Sequence, residues 1–166
     1  MTKILLGVLT AILFIGCSSD AVEQNVEPKL VVGQSIADLK LNDQFEKSHT
    51  LSSGTNKIVF AFSKDGAHIC NDYFNTKEPT YLASHNTQFV ADVSAAPSLI
   101  RSMFIMPGLK DFKHTVLLLD DKAIAAPYRK DMNVEKIVII FVDNGTVTAI
   151  KTVNNEAELI SEIESK

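Results

Sequence analysis

Apolar runs of strand length alternate along this 166-residue chain with segments of helical character. Residues 57–62 form a short apolar run around Phe-Ala-Phe, which is typical of a central strand buried on both faces. Further strands are predicted at residues 88–93 and 114–120, and helices at residues 98–105 and 122–128. Strands that alternate with helices predict βαβ units and a sheet that is at least partly parallel.

Two prolines are expected to limit the helices. The helix at residues 98–105 should stop before Pro107 and Gly108, because a proline disfavours the α conformation of the residue that precedes it. Pro127 should interrupt the helical segment at residues 122–128, since proline lacks the N–H group that a helix interior uses.

A hairpin is predicted in the last third of the chain. Residues 136–142 are strongly apolar, and residues 146–153 provide an antiparallel partner. Between them lies Asp143-Asn144-Gly145, and Asn-Gly accepts the positive φ angles of a type I′ turn. The hairpin is therefore expected to make the sheet mixed.

A last helix is predicted after the hairpin. Asn155 is a good N-cap, and Glu158 follows at the spacing of a capping box. Leu159, Ile160 and Ile163 give this helix one apolar face. The predicted fold class is thus α/β, with a mixed central sheet flanked by helices and closed by a C-terminal β-hairpin and helix.

The first sixteen residues are typical of a secretion signal. Lys3 provides a positive start, and residues 4–16 are apolar except for Thr10. The apolar run is shorter than the roughly 20 residues that a membrane-spanning helix needs. It has the length of the apolar region of a signal peptide.

The sequence Phe-Ile-Gly-Cys at residues 14–17 resembles the lipobox of bacterial lipoproteins. The resemblance implies that Cys17 receives diacylglycerol and further acyl chains such as palmitate, and becomes the new N-terminus. Ser18 stands where an Asp would indicate retention in the inner membrane, which favours the outer membrane, facing the periplasm. Residues 17–28 are polar and acidic, and we expect a lipidated flexible tether before a domain at residues 29–166. The alternative is an ordinary signal peptide with Cys17 as an incidental thiol.

Charge excludes one class of partner. The chain has 16 basic and 20 acidic residues, a net charge of −4, and removal of residues 1–16 removes only Lys3 from this balance. No basic patch is evident, so nucleic acid is not an expected partner. The expected partners are a membrane, through the lipid on Cys17, and an envelope protein or ligand. No cofactor is indicated.

The chain resembles thioredoxin-fold proteins of the peroxiredoxin and thiol-oxidoreductase type. Residues 32–63 are similar to the opening of these proteins, with a Gly before a short strand, the segment Asp-Leu-Lys-Leu-Asn-Asp leading into a turn, and then the central strand. Residues 137–150 are similar to the paired strands before their C-terminal helix. Such patterns of apolar spacing and turn residues specify fold better than activity.

The resemblance implies a reactive thiol just after the central strand, at the start of a helix. There the unpaired N–H groups stabilise a thiolate. The C-x-x-C motif falls on residues 67–70, Ala-His-Ile-Cys, so the first cysteine is absent and Cys70 is kept. Thiol–disulfide exchange needs a second thiol to release the mixed disulfide, so the two-thiol cycle is not available. If Cys17 is lipidated, Cys70 is also the chain's only free thiol, and no internal disulfide can form.

The peroxiredoxin pattern P-x-x-x-T-x-x-C is also degenerate. It places Ser63 at the proline, Ala67 at the threonine and Cys70 at the peroxidatic cysteine. Ile137 stands where the family has an arginine that stabilises the thiolate. Residues 134–136, Val-Glu-Lys, replace the thioredoxin cis-proline.

Two functions from different classes follow, and the sequence leaves open whether the chain is an enzyme. In the first, Cys70 is a single redox thiol, and His68 lowers its pKa or acts as a base. In the second, the domain is a non-catalytic binding module and Cys70 is a small buried residue. A metal site that joins Cys70 to His68, Asp72, His85 or His114 is a weaker alternative, so no metal is predicted.

Overall fold

The computed structural model describes residues 26–165. Within them lie seven strands: β1 (Lys40–Asp43), β2 (Ser48–Thr50), β3 (Lys57–Ala61), β4 (Thr87–Asp92), β5 (Leu117–Leu119), β6 (Ile137–Asp143) and β7 (Thr146–Val153). The helices are α1 (Lys64–Asn75), α2 (Tyr81–Ser84), α3 (Ser98–Ile100), α4 (Met106–Lys110), α5 (Lys122–Arg129) and α6 (Glu156–Glu164). The proposed signal peptide, residues 1–16, and Cys17 lie outside the described residues, as does most of the tether.

The seven strands form one mixed sheet in the order β2-β1-β5-β4-β3-β6-β7. The central strand β3 pairs in parallel with β4 and antiparallel with β6, and all five of its residues are buried. The β6–β7 hairpin and α6 close the domain. The predicted mixed sheet flanked by helices, with a C-terminal hairpin and helix, is confirmed.

Each face of the sheet carries its own core. On one face, α5 and the segment before β1 pack through Tyr128, Leu30 and Ile36. On the other face, α1, α6 and residues 98–110 pack through side chains that include Phe74, Leu159, Leu109 and Cys70. Because β3 and β6 are covered on both sides, their sequences are nearly continuous apolar runs rather than alternating ones.

Residues 98–110 form one continuous helical stretch, which we call the 98–110 helix. It consists of α3, a π-helical segment (Arg101–Ile105) and α4. The prediction that the helix stops before Pro107 is wrong. Pro107 is the second residue of α4 and comes directly after the π-helical segment, where the hydrogen-bond pattern of the helix changes and a missing N–H group is tolerated.

Two other predicted boundaries are wrong. Pro127 lies inside α5 without interrupting it, and the helix ends soon afterwards at Arg129. The strand predicted at residues 114–120 is limited to β5, because the side chain of Gln44 takes the place of a neighbouring strand before it. Gln44 Nε2 donates to the carbonyl of His114 at 2.8 Å, and its Oε1 accepts from the N–H of Val116 at 2.9 Å.

The hairpin turn and the last helix follow the sequence prediction. Asn144 and Gly145 have φ angles of 48° and 79°. A Cβ atom at Gly145 would lie 2.9 Å from Cβ of Ala37, so the turn also needs glycine for space. Asn155 caps α6 by accepting from the N–H of Glu158 at 2.9 Å.

A buried lysine ties α6 to the centre of the sheet. Lys57, the first residue of β3, is 6% exposed. Its ammonium group donates to the carbonyls of Ile163 at 2.8 Å and Ser165 at 2.6 Å. A cation at a helix C-terminus compensates unpaired carbonyls and the negative end of the helix dipole.

Replacement of Lys57 by methionine should therefore destabilise the domain. The Lys57→Met variant keeps the aliphatic stem but leaves two terminal carbonyls of α6 without their donor. We expect the free energy of unfolding to fall by about 2 kcal/mol, measured by chemical denaturation. The matched control is Lys151→Met, which removes an exposed ion pair with Glu162 on the same helix and should cost less than about 0.5 kcal/mol. Equal losses in the two variants would contradict the role assigned to Lys57.

Candidate functional site

The segment after the central strand is helical rather than a loop. Helix α1 begins at Lys64, and Ser63 is its N-cap in an extended conformation. Ser63 Oγ accepts from the N–H of Gly66 at 3.2 Å. The next proline after the strand is Pro79, so nothing before it prevents a helix from starting this early.

Cys70 is therefore not at the start of a helix. It is the seventh residue of α1, well inside the helix, and it is 0% exposed. The expectation that this thiol lies at the junction between strand and helix is wrong. The N–H groups of residues in a helix interior bond to carbonyls one turn earlier, so they do not stabilise a thiolate at this position.

The surroundings of Cys70 favour the neutral thiol. Its side chain lies in the core cluster that α1 forms with the sheet and α6. Burial raises the pKa of Cys70 well above the ordinary thiol value. Because the thiolate is the nucleophile, a thiol in this environment is inert at neutral pH.

The structure does not bring His68 and Cys70 together. His68 is exposed, whereas Cys70 points into the core. Residues two apart on a helix lie on different faces, so the imidazole is not placed to take a proton from the thiol. The proposed base and the proposed nucleophile are thus separated by the helix itself.

Apolar packing occupies the start of α1, where the resembled enzymes hold their thiol. Gly66 is buried there, and a Cβ atom at this position would lie 3.4 Å from Cγ1 of Ile137. Ile137 is 1% exposed and is the residue aligned with the family's arginine. An aliphatic side chain thus lies beside the helix start, where a cation would stabilise a thiolate.

The two arginines of the chain, Arg101 and Arg129, are engaged elsewhere. Arg129 forms an ion pair with Asp92 at 2.6 Å, and the Asp92 side chain is completely buried at the end of β4. Arg101 donates to the carbonyl of Val93 at 3.3 Å. The Arg129–Asp92 pair is a partly buried ion pair that sequence reasoning missed, because no local spacing connects residues 37 positions apart.

The candidate metal ligands are dispersed. No group of three His, Cys, Asp or Glu side chains within residues 26–165 is arranged to hold a metal ion. His85 Nδ1 donates to the carbonyl of Tyr81 at 2.8 Å. His114 is 3% exposed, and its Nε2 donates to Oδ1 of Asn71 at 2.9 Å.

Solved structures of other proteins share this architecture. Peroxidoxin BcpB from Mycobacterium tuberculosis is 16% identical over 80% of this chain and 93% of its own, with a TM-score of 0.52. A protein described as thiol:disulfide interchange protein DsbE from Chlorobium tepidum is 18% identical over 81% and 95%, with a TM-score of 0.53. A protein described as a disulfide isomerase from Bacteroides thetaiotaomicron is 17% identical over 84% and 89%, with a TM-score of 0.50.

Sequence comparison adds nothing to this structural likeness. No protein-family model matches the chain, and no curated protein matches it. At such identities a structural likeness concerns the fold, and activity depends on the side chains at the site.

The buried histidine should make the domain sensitive to mild acid. Burial lowers the pKa of His114 to about 4 from its ordinary value of 6.5. Between these values the unfolded chain binds the proton and the folded chain does not, so stability falls as pH falls through this window. From about pH 7.5 to about pH 4.5 we expect His114 to account for a loss of about 2 kcal/mol in the free energy of unfolding.

The comparison for this prediction is His114→Gln. Glutamine keeps an N–H donor for Asn71 but does not titrate, so the variant should lose less stability over the same pH range. Denaturant unfolding at several pH values measures both slopes. Identical slopes for the two proteins would show that His114 does not carry the pH dependence.

Proposed function

We propose that this chain, whose fold is thioredoxin-like, is a lipid-anchored protein of the bacterial envelope that acts by binding and has no thiol redox activity. One observation carries the non-catalytic part of the proposal: Cys70 is completely buried in the interior of α1. An oxidant or a disulfide substrate has to reach the sulfur atom, and here the sheet and the helices cover it.

The missing chemical groups support the same proposal. A redox thiol in this fold needs a helix N-terminus, a nearby cation or a second thiol. Here the helix start carries Ser63 and Gly66, the neighbouring strand begins with Ile137, and the first motif position is Ala67. The only cysteine in the described part of the chain is held as a neutral thiol. Cys70 therefore serves to pack α1 against the sheet.

The anchoring part of the proposal rests on the sequence at residues 1–17. A positive start, a short apolar run and Gly-Cys at its end are together typical of a lipoprotein signal. Several acyl chains on one cysteine bind a membrane stably, because each buried methylene contributes about 0.8 kcal/mol. Within residues 26–165 no helix is long and apolar enough to span a bilayer.

Alkylation of Cys70 tests the non-catalytic proposal. In the folded full chain at about pH 8, iodoacetamide should modify Cys70 at least about 100-fold more slowly than an exposed thiol, because reaction requires opening of α1. Peptide mass spectrometry measures the rate at this residue. In guanidinium chloride the difference should disappear.

The matched control is the double variant Lys64→Cys/Cys70→Ala. It moves the only thiol of the domain to the exposed first residue of the same helix, where N–H groups are free to stabilise a thiolate. This variant should react rapidly. If Cys70 in the unaltered chain reacts at a comparable rate, the domain has an accessible thiol and the single-thiol redox function takes the place of our proposal.

Lipid attachment is tested by Cys17→Ser. In a Gram-negative host supplied with labelled palmitate, the unaltered chain should lose residues 1–16 and incorporate label, because the acyl chains attach at Cys17. Cys17→Ser should carry no label, and Cys70→Ala should be labelled as fully as the unaltered chain. Intact-mass measurement checks the processing. Label in Cys17→Ser, or none in the unaltered chain, would refute the anchor.

A further inference from the structure

Four large apolar side chains project from the 98–110 helix into solvent. They are Leu99, Ile100, Met103 and Phe104, with exposed fractions of 64%, 44%, 58% and 65%. We call these four residues the apolar ridge. Single exposed apolar side chains are ordinary, but a contiguous group on one element indicates a surface that contacts another apolar phase.

The helix geometry explains why these side chains form one ridge. In a π-helix the hydrogen bond joins residue i to residue i+5, so residues i, i+4 and i+5 share a face. The π-helical segment thus places Met103 and Phe104 beside Leu99. The adjoining side of the same helix packs on the core, through Leu109 and the half-buried Ile105 and Met106. The ridge is therefore not needed for folding.

Charge contributes little to this surface. Arg101 already donates to the carbonyl of Val93. At the far end of the helix Lys110 stands next to Asp111, and three acidic residues, Asp43, Glu46 and Asp120, line the groove beside Leu99. No excess of positive charge is present to attract an anionic surface, so binding through the ridge would depend on apolar burial.

The tether places a bilayer within reach of this helix. Residues 18–25 join Cys17 to the described chain, and an extended segment of this length reaches about 30 Å. A domain of this size has a radius of gyration of about 14 Å, so the tether lets any face turn toward the membrane. A surface held this close has a high effective concentration, and a modest apolar contact suffices to bind it.

We propose that the apolar ridge inserts into the phospholipid surface to which the chain is anchored, an inference that rests on the lipid anchor proposed above. A ridge that projects from the domain suits a bilayer, which accepts it without a matching cavity. The four side chains would enter the boundary between headgroups and acyl chains, about 5–10 Å deep. Contact at this helix would orient the domain, with the 98–110 helix against the membrane.

A single tryptophan reports on this contact, since the chain has none. The full chain carrying Phe104→Trp is reconstituted in vesicles of phosphatidylethanolamine and phosphatidylglycerol that contain brominated phosphatidylcholine. Insertion predicts a blue-shifted emission that the brominated lipid quenches at least about twofold. The matched control is Thr152→Trp, at an exposed position of the edge strand β7, which should be neither shifted nor quenched.

A second variant ties quenching to the ridge. Leu99→Asn and Met103→Asn, added to Phe104→Trp, should abolish the quenching while the circular dichroism spectrum and thermal unfolding stay unchanged, because these side chains lie outside the core. Added salt should leave the quenching of Phe104→Trp nearly unchanged, since apolar burial and not charge supplies the binding. Quenching that persists in the triple variant, or that salt removes, would overturn the proposal.

Different results would contradict the ridge contact and the lipid anchor. If the chain is lipidated but Phe104→Trp is not quenched, the ridge contact is wrong and the anchor stands. If Cys17 is not lipidated, the anchor is wrong whatever the fluorescence. A blue shift without vesicles that grows with protein concentration would assign the ridge to a second copy of the chain and overturn the membrane contact.

Discussion

The N-cap of α1 is the contact on which the other properties of this domain depend. Ser63 ends the extended backbone of the central strand and accepts a hydrogen bond from Gly66, so the helix starts without an intervening loop. The phase of the helix then decides which side chains face the sheet. Cys70 turns into the core and His68 turns toward solvent. A later start would have placed the cysteine among free N–H groups and made it a nucleophile.

The early start of α1 thus both removes the conditions for a reactive Cys70 thiol and packs Cys70 into the core. The interior accepts a neutral thiol as a small apolar group, and the position beside the helix start accepts Ile137 where a cation would serve catalysis. Buried polar groups are retained where they join elements distant in sequence. Lys57 holds the end of α6, and Arg129 holds Asp92 at the end of a central strand. Such satisfied polar contacts help to specify how the elements are arranged.

Prediction from the sequence succeeded where local rules act alone. The Asn-Gly turn and the Asn155 cap are decided by residues within four positions of one another, and both occur as expected. Prediction failed where distant groups intervene. Gln44 limits β5 by bonding to His114 and Val116, which precede that strand, from another part of the chain. Pro107 is tolerated because a π-helical segment precedes it, and no residue spacing in the sequence predicts that segment.

The sequence by itself determined the fold class and the absence of a second active-site thiol, since strand patterns and missing atoms can be read without coordinates. It also predicts a lipid-attachment motif at residues 14–17. Only the tertiary structure decided that Cys70 is inaccessible and that Leu99 and Phe104 are exposed. The physical reason is that the exposure of a side chain depends on the elements packed around it. If the same helix were rotated about its axis, buried side chains would become exposed and exposed ones buried.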